Sequence, residues 1–177
     1  MFETQPYLSR HSDWRSDSDE NRFRLPNSLS KWLLDKGSLT AALTTLSNGD
    51  FQVKQKWQEI TSAHTHEQAK LNLSVNQTSL IREVELCIYD EAVVFARSII
   101  PLDLTGGNED SLENLGTKPL GHLLFKDGNI RVSKRDFAKI KTPESIIFAR
   151  RTPYDYLKRQ ILVSEFFLPT FEKYLMI

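Results

Sequence analysis

The stretch from Ile81 to Ile100 constrains the fold more than any other. Two apolar runs, Ile81 to Ile88 and Val93 to Ile100, flank an Asp90-Glu91 turn, and Pro101 ends the second. Runs of this length bounded by turn residues read as a β-hairpin, so the sheet they enter is antiparallel. Phe51, Val53 and Trp57 alternate with Gln52, Lys54, Lys56 and Gln58, as in a strand with one wet face. Leu71, Leu73 and Val75 repeat that alternation, and further strands are expected at Ile130 to Val132, Ile146 to Ala149 and Ile161 to Leu168.

Helical spacing appears elsewhere. Pro26-Asn27-Ser28 reads as the entry to a helix carrying Leu29, Trp32 and Leu33, and Ser38 can cap a second one carrying Leu39, Ala42, Leu43 and Leu46. Asn48-Gly49-Asp50 is a turn signal, and Thr105-Gly106-Gly107-Asn108 reads as a loop. Short helices are expected over Ser111 to Leu115 and after Pro119, through Leu120, Leu123 and Leu124. Hairpin-linked strands with helices first and in mid-chain predict an α+β fold, a single antiparallel sheet of about six strands with helices packed on it. Residues 1–24 are polar and irregular and read as an arm, anchored through Trp14 or Phe23, ahead of one domain over 25–177.

Lys+Arg and Asp+Glu each total 23, so the formal net charge is zero. Nucleic-acid and membrane-surface proteins usually carry a basic excess, so neither class of partner is expected. Arg150-Arg151 and Lys134-Arg135 then read as solvated strand ends. A single cysteine, Cys87, permits no internal disulfide. It shares a strand face with Glu83 and Glu85, without a sequence-adjacent base, and is not expected to be a nucleophile. The one-cysteine count suits a reducing compartment, and no apolar run of signal-peptide or membrane-spanning length is present, so a cytoplasmic location is expected. His64 and His66 lack further ligands at metal-binding spacing and read as a solvated loop, while His122 reads as a surface helix residue.

Two charges stand in the wrong register for simple strands. Alternation places Arg82 on the face of Val84, Leu86 and Ile88, and Glu165 on the face of Ile161, Val163 and Phe167. Burying a lone charge costs several kcal/mol unless it is paired or hydrogen-bonded. Three readings follow: the two pair with each other, they reach solvent at strand ends, or they flank a ligand. In the last, the guanidinium forks onto a ligand carboxylate and Glu165 meets a ligand hydroxyl. Gly116 permits a tight turn before Pro119, and the backbone N–H groups beyond it attract anions.

Ile81-Arg82-Glu83-Val84-Glu85-Leu86-Cys87, Ala96-Arg97-Ser98-Ile99-Ile100-Pro101, Leu115-Gly116-Thr117-Lys118-Pro119-Leu120-Gly121, Ala149-Arg150-Arg151 and Ser164-Glu165-Phe166-Phe167-Leu168-Pro169 follow each other in order. Together they resemble the chorismate–pyruvate lyase family, over roughly Leu29 to Leu168. The resemblance implies an antiparallel sheet enclosing a ligand site, and a cofactor-free enzyme that makes 4-hydroxybenzoate and pyruvate from chorismate, the first committed step of ubiquinone synthesis. It places Arg82 at the family's carboxylate-binding arginine, Glu165 at its hydroxyl-contacting glutamate and Leu120 at a backbone ligand contact. Leu39 falls where relatives often carry methionine. A monomer subject to product inhibition is the further expectation. The rival reading is a sensor or carrier domain that binds small aromatic acids without turnover. The fold resembles effector-binding domains of bacterial transcription regulators, which carry a helix-turn-helix domain where this chain has a short polar arm.

Overall fold

The computed structural model describes residues 13–16, 25–104, 112–126 and 130–175. The expected loop at Thr105-Gly106-Gly107-Asn108, Phe23, Ser111 and most of the arm lie outside the described residues. The elements in chain order are β1 (Arg15–Ser16), α1 (Asn27–Leu34), α2 (Leu39–Leu46), β2 (Phe51–Ser62), α3 (Thr65–Leu71), β3 (Thr78–Ile88), β4 (Glu91–Pro101), α4 (Leu120–Leu124), β5 (Arg131–Val132), β6 (Asp136–Lys141), β7 (Ile146–Tyr156) and β8 (Arg159–Phe167). Among the described residues the sheet has eight strands rather than about six, in the order β1-β6-β7-β8-β4-β3-β2, with β5 on the far end of β7. Every pairing is antiparallel.

The β3–β4 hairpin forms as its sequence demands, one residue earlier than expected: Tyr89 and Asp90 occupy the turn, both at positive φ (47° and 69°). Two such residues give a connection whose twist matches the strands. Asn48 and Gly49 make the turn from α2 into β2, also at positive φ. Part of the segment expected as an arm is built into the sheet, since Arg15–Ser16 pairs with β6. Trp14 there lies edge-on to Phe166, with centroids 6.0 Å apart.

Three expectations fail locally. Leu71, Leu73 and Val75 do not form a strand. Leu71 ends α3, Asn72 takes a left-handed conformation (φ 52°), and Val75 is 78% exposed. The helix wins because Glu67 accepts from the His64 backbone N–H at 2.9 Å, closing the first turn. The same contact takes His64 and His66 out of the expected solvated loop: one caps α3 and the other lies within it. In β2 a bulge after Gln55 reverses the alternation. Phe51 and Val53 face one core, and Trp57 packs on the other with Leu71, Ile81 and Leu162.

Helices therefore cover both faces. On one, Leu29 and Leu33 of α1 and Leu39 and Leu43 of α2 pack on Val84, Leu86 and Phe167. Each fully buried leucine contributes about 1.5–3 kcal/mol. On that same face, α4 adds Leu120 and Leu124 against Tyr154, Ile161 and Val163. On the opposite face lies α3, whose Glu67 accepts from Arg97, itself bonded to Glu83. His122 is exposed on α4.

Candidate active site

Strand pairing places the two out-of-register charges on the helix-bearing face. Val84, Ala96, Glu165 and Arg150 form one cross-strand row, and Arg82, Ser98, Val163 and Thr152 form the next row on that face. Arg82 and Glu165 are thus two strands and two residues apart, about 12 Å between backbones from strand spacing and rise. Above them α2 and α4 meet. Ser38 caps α2, its Oγ accepting from the Ala41 N–H at 3.3 Å, which sets Leu39 at the start of the helix. Gly121 lets α4 abut that cap. A Cβ there would meet Thr40 Oγ1 at 3.1 Å and Ser38 Oγ at 3.3 Å, both tighter than ordinary contact.

Between helices and sheet is a cavity of about 50 Å³, lined by Leu39, Arg82, Leu120 and Glu165, the four residues selected from the sequence. Val84, Leu86, Ala96, Leu124, Phe125, Tyr154 and Val163 supply much of the remaining wall. One water needs about 10–15 Å³ on this measure, so the space takes only a few waters.

Arg82 is 2% exposed. Its Nη2 donates to the carbonyls of Gly116 (2.8 Å) and Lys118 (3.1 Å), and its Nε has no partner among the described residues. Gly116, at φ +52°, makes the turn that aims these carbonyls inward. Burial pulls the Arg82 guanidinium down to about 10.

Glu165 is 6% exposed and pairs with Arg150, not with Arg82. Arg150 Nε donates to Glu165 Oε2 at 2.5 Å, and its Nη1 donates to the carbonyls of Trp32 (2.6 Å) and Asp35 (2.8 Å). The unfilled carbonyls at the end of α1 thus orient the arginine that orients the glutamate. Burial opposes the charge on Arg150, but the Glu165 carboxylate outweighs it and leaves the guanidinium raised. Arg135 reinforces this corner, donating to Thr152 Oγ1 (2.8 Å) and to the carbonyls of Leu33 (3.1 Å) and Asp35 (2.6 Å).

Arg150, Arg151 and Arg135 are therefore not solvated strand ends; all three are buried. Arg151 points to the opposite face, donates to Asp136 Oδ2 at 2.7 Å and lies 4.8 Å from the Trp14 ring centroid. Alternation along β7 explains the split, because adjacent residues face opposite sides. The reading of the sequence missed Arg150 and Tyr154 because it ended this strand at Ala149, whereas β7 continues to Tyr156. Cys87 is fully buried, and burial pushes its thiol up.

A family model described as chorismate lyase matches residues 9–175. A protein of Pseudomonas putida named probable chorismate pyruvate-lyase is 34% identical over 163 residues, covering 88% of this chain and 89% of that protein. One of the same name from Pseudoalteromonas atlantica is 35% identical over 168 residues, covering 86% and 85%. Among solved structures, PhnF from Mycobacterium smegmatis is similar at a TM-score of 0.57 and 13% identity, covering 77% of this chain and 66% of that one. A GntR-family transcriptional regulator from Bacillus cereus is similar at a TM-score of 0.50 and 14% identity, covering 68% and 93%. At such identities the two structures speak for the fold alone. The sequence relatives, matched over most of their length, go further: this chain belongs to the chorismate lyase family.

Proposed function

We propose that the protein is a chorismate lyase, converting chorismate to 4-hydroxybenzoate and pyruvate, with the ring acid held between Arg82 and Glu165. The observation that carries the reading is that these two charges line one apolar cavity without pairing with each other. Arg82 is a desolvated cation whose Nη2 donates to two backbone carbonyls, and its positive charge in an apolar wall attracts a ligand carboxylate. Glu165 uses Oε2 on Arg150. Its other oxygen is available to a ligand hydroxyl. Arg82, Arg135 and Arg150 together outweigh Glu165 on this face, which suits a substrate with two carboxylates.

In the reaction the ring carboxylate lies at Arg82, helped by the backbone N–H of Leu120, while Leu39 covers the ring. The hydrogen on the hydroxyl-bearing carbon passes to the enolpyruvyl methylene as the neighbouring ether C–O bond breaks. The ether oxygen leaves as the ketone of pyruvate, and the ring becomes aromatic. Such a cyclic transfer needs no strong base. The protein's part is to hold the side chain over the ring and exclude water. The product keeps both the carboxylate and the hydroxyl, so it binds well and its release limits turnover. Because the cavity holds only a few waters, binding must also move part of its wall. The product would feed ubiquinone synthesis.

The test is to mix purified protein with chorismate in EDTA and follow 4-hydroxybenzoate by absorbance, with pyruvate measured separately. Equal, enzyme-dependent formation of both is expected. Tight 4-hydroxybenzoate binding without turnover would replace the lyase by a sensor or carrier.

A further inference from the structure

Along β7, alternation puts Arg150, Thr152 and Tyr154 on the face of Glu165, Val163 and Ile161. Tyr154 is 3% exposed, and it lines the cavity that Arg82 and Glu165 share. Its ring is fixed edge-on to Phe125, with centroids 5.8 Å apart and planes at 76°. The hydroxyl end lies toward the polar corner, in reach of Thr152 and Arg135 and within the field of Glu165 and Arg150. Burial, reinforced by the Glu165 charge, pushes the phenol up to about 12. The O–H is therefore a proton donor throughout the physiological range.

This corner poses a satisfaction problem that Glu165 alone does not solve. A carboxylate only accepts. A ligand hydroxyl that gives its proton to Glu165 still presents oxygen lone pairs to a cavity with room for only a few waters, and a buried polar atom is costly when unpaired. Ser98 and Tyr154 both bring to this cavity hydroxyls that can give and take a proton, and the tyrosine extends much farther from its strand.

We propose that Tyr154 is a further ligand-contacting residue, donating its phenol O–H to the ring hydroxyl whose proton Glu165 accepts, and so selecting hydroxylated ring acids over unsubstituted ones. The inference rests on the reading above, in which the ring acid lies between Arg82 and Glu165. Sites built to hydrogen-bond a hydroxyl discriminate strongly against analogues that lack it.

The test is Tyr154→Phe, which keeps the ring and its contact with Phe125. Dissociation constants for 4-hydroxybenzoate and benzoate are measured for both proteins by titration calorimetry, with wild-type chorismate turnover as the reference. Loss of one neutral hydrogen bond predicts about tenfold weaker 4-hydroxybenzoate binding with benzoate unchanged, so selectivity falls about tenfold. If both ligands weaken equally, or neither does, Tyr154 is a packing residue and the proposal fails while the lyase reading stands. If wild type neither turns over chorismate nor binds 4-hydroxybenzoate, the lyase reading falls and takes the proposal with it. Should Tyr154→Phe not fold, wild type decides by comparing 4-aminobenzoate, whose amino group can donate to Glu165 but accepts poorly. Binding at least about tenfold weaker than 4-hydroxybenzoate supports the proposal, and anything closer overturns it.

Discussion

Arg150→Met should be the most damaging single substitution near the cavity, and the magnitude follows from its contacts. The guanidinium is fully buried, 2.5 Å from Glu165 and 2.6 Å from the Trp32 carbonyl. Methionine fills a similar length but leaves the Glu165 carboxylate in the interior without its paired cation. Breaking a buried pair by removing one partner costs about 3–5 kcal/mol. The Trp32 carbonyl loses its donor, adding about 1 kcal/mol. The Asp35 carbonyl loses less, because Arg135 still donates to it at 2.6 Å. The sum, about 4–6 kcal/mol, approaches the whole stability of an ordinary domain, about 5–15 kcal/mol. In urea, with a slope of about 2 kcal/mol per molar, the midpoint should fall by about 2–3 M, read by tryptophan fluorescence and far-ultraviolet circular dichroism. The double substitution Arg150→Met/Glu165→Leu removes the stranded charge and should recover most of that loss, since apolar replacement of a whole buried pair is often neutral. It should nevertheless bind a ligand hydroxyl more weakly, because the acceptor Glu165 is gone. A single-variant cost below about 1 kcal/mol, or a double variant no better than the single, would refute the reasoning.

Arg82→Met should behave in the opposite way. It removes a desolvated cation that no carboxylate pairs among the described residues, so the melting temperature should shift by no more than about 4 °C while 4-hydroxybenzoate affinity falls at least a hundredfold; unchanged affinity would move the carboxylate site elsewhere. Tyr154, its phenol pushed up to about 12, should be silent in a titration followed at 295 nm until the protein unfolds. Its folded value lies above the unfolded one of about 10, so its contribution to stability is complete below pH 10 and is lost as pH rises from there through about 12. A full set of tyrosines ionising near pH 10 with the fold intact would contradict this. Cys87, buried and with its thiol pushed up, should react with Ellman's reagent at pH 8 only after urea is added, and rapid reaction of the native protein would show that β3 opens readily.

The hairpin was legible because two constraints coincide there, apolar runs on both sides of a turn. The strand pattern at Leu71, Leu73 and Val75 was equally regular and false. Three alternating residues are too few to outweigh a closed first turn at His64 and Glu67, a contact that competes over a longer segment. β6 went unseen because Asp136, Lys139 and Lys141 give it a charged look. Its buried aspartate is matched by Lys70 and Arg151 from elements distant in sequence. The face of Trp57 depended on one extra residue in β2, and a bulge leaves no mark in composition.

The same limit decided how much of the site could be read. Arg82 and Glu165 stood out because each is a charge inside a continuous apolar alternation, which is a local property. Arg150 is no less buried, but its evidence is its opposite number, Glu165, across a strand pair. Pro153 obscured even the alternation, since proline argues against a paired strand. It fits because of where it falls. A residue's N–H and C=O point to the same edge of a strand, and the Pro153 carbonyl accepts from the Ser133 N–H at 3.0 Å. The missing donor therefore faces the interruption between β5 and β6, where no ladder bond is required of it. β7 can then run on to Tyr154, carrying its hydroxyl to a cavity whose two charged side chains were visible from the start.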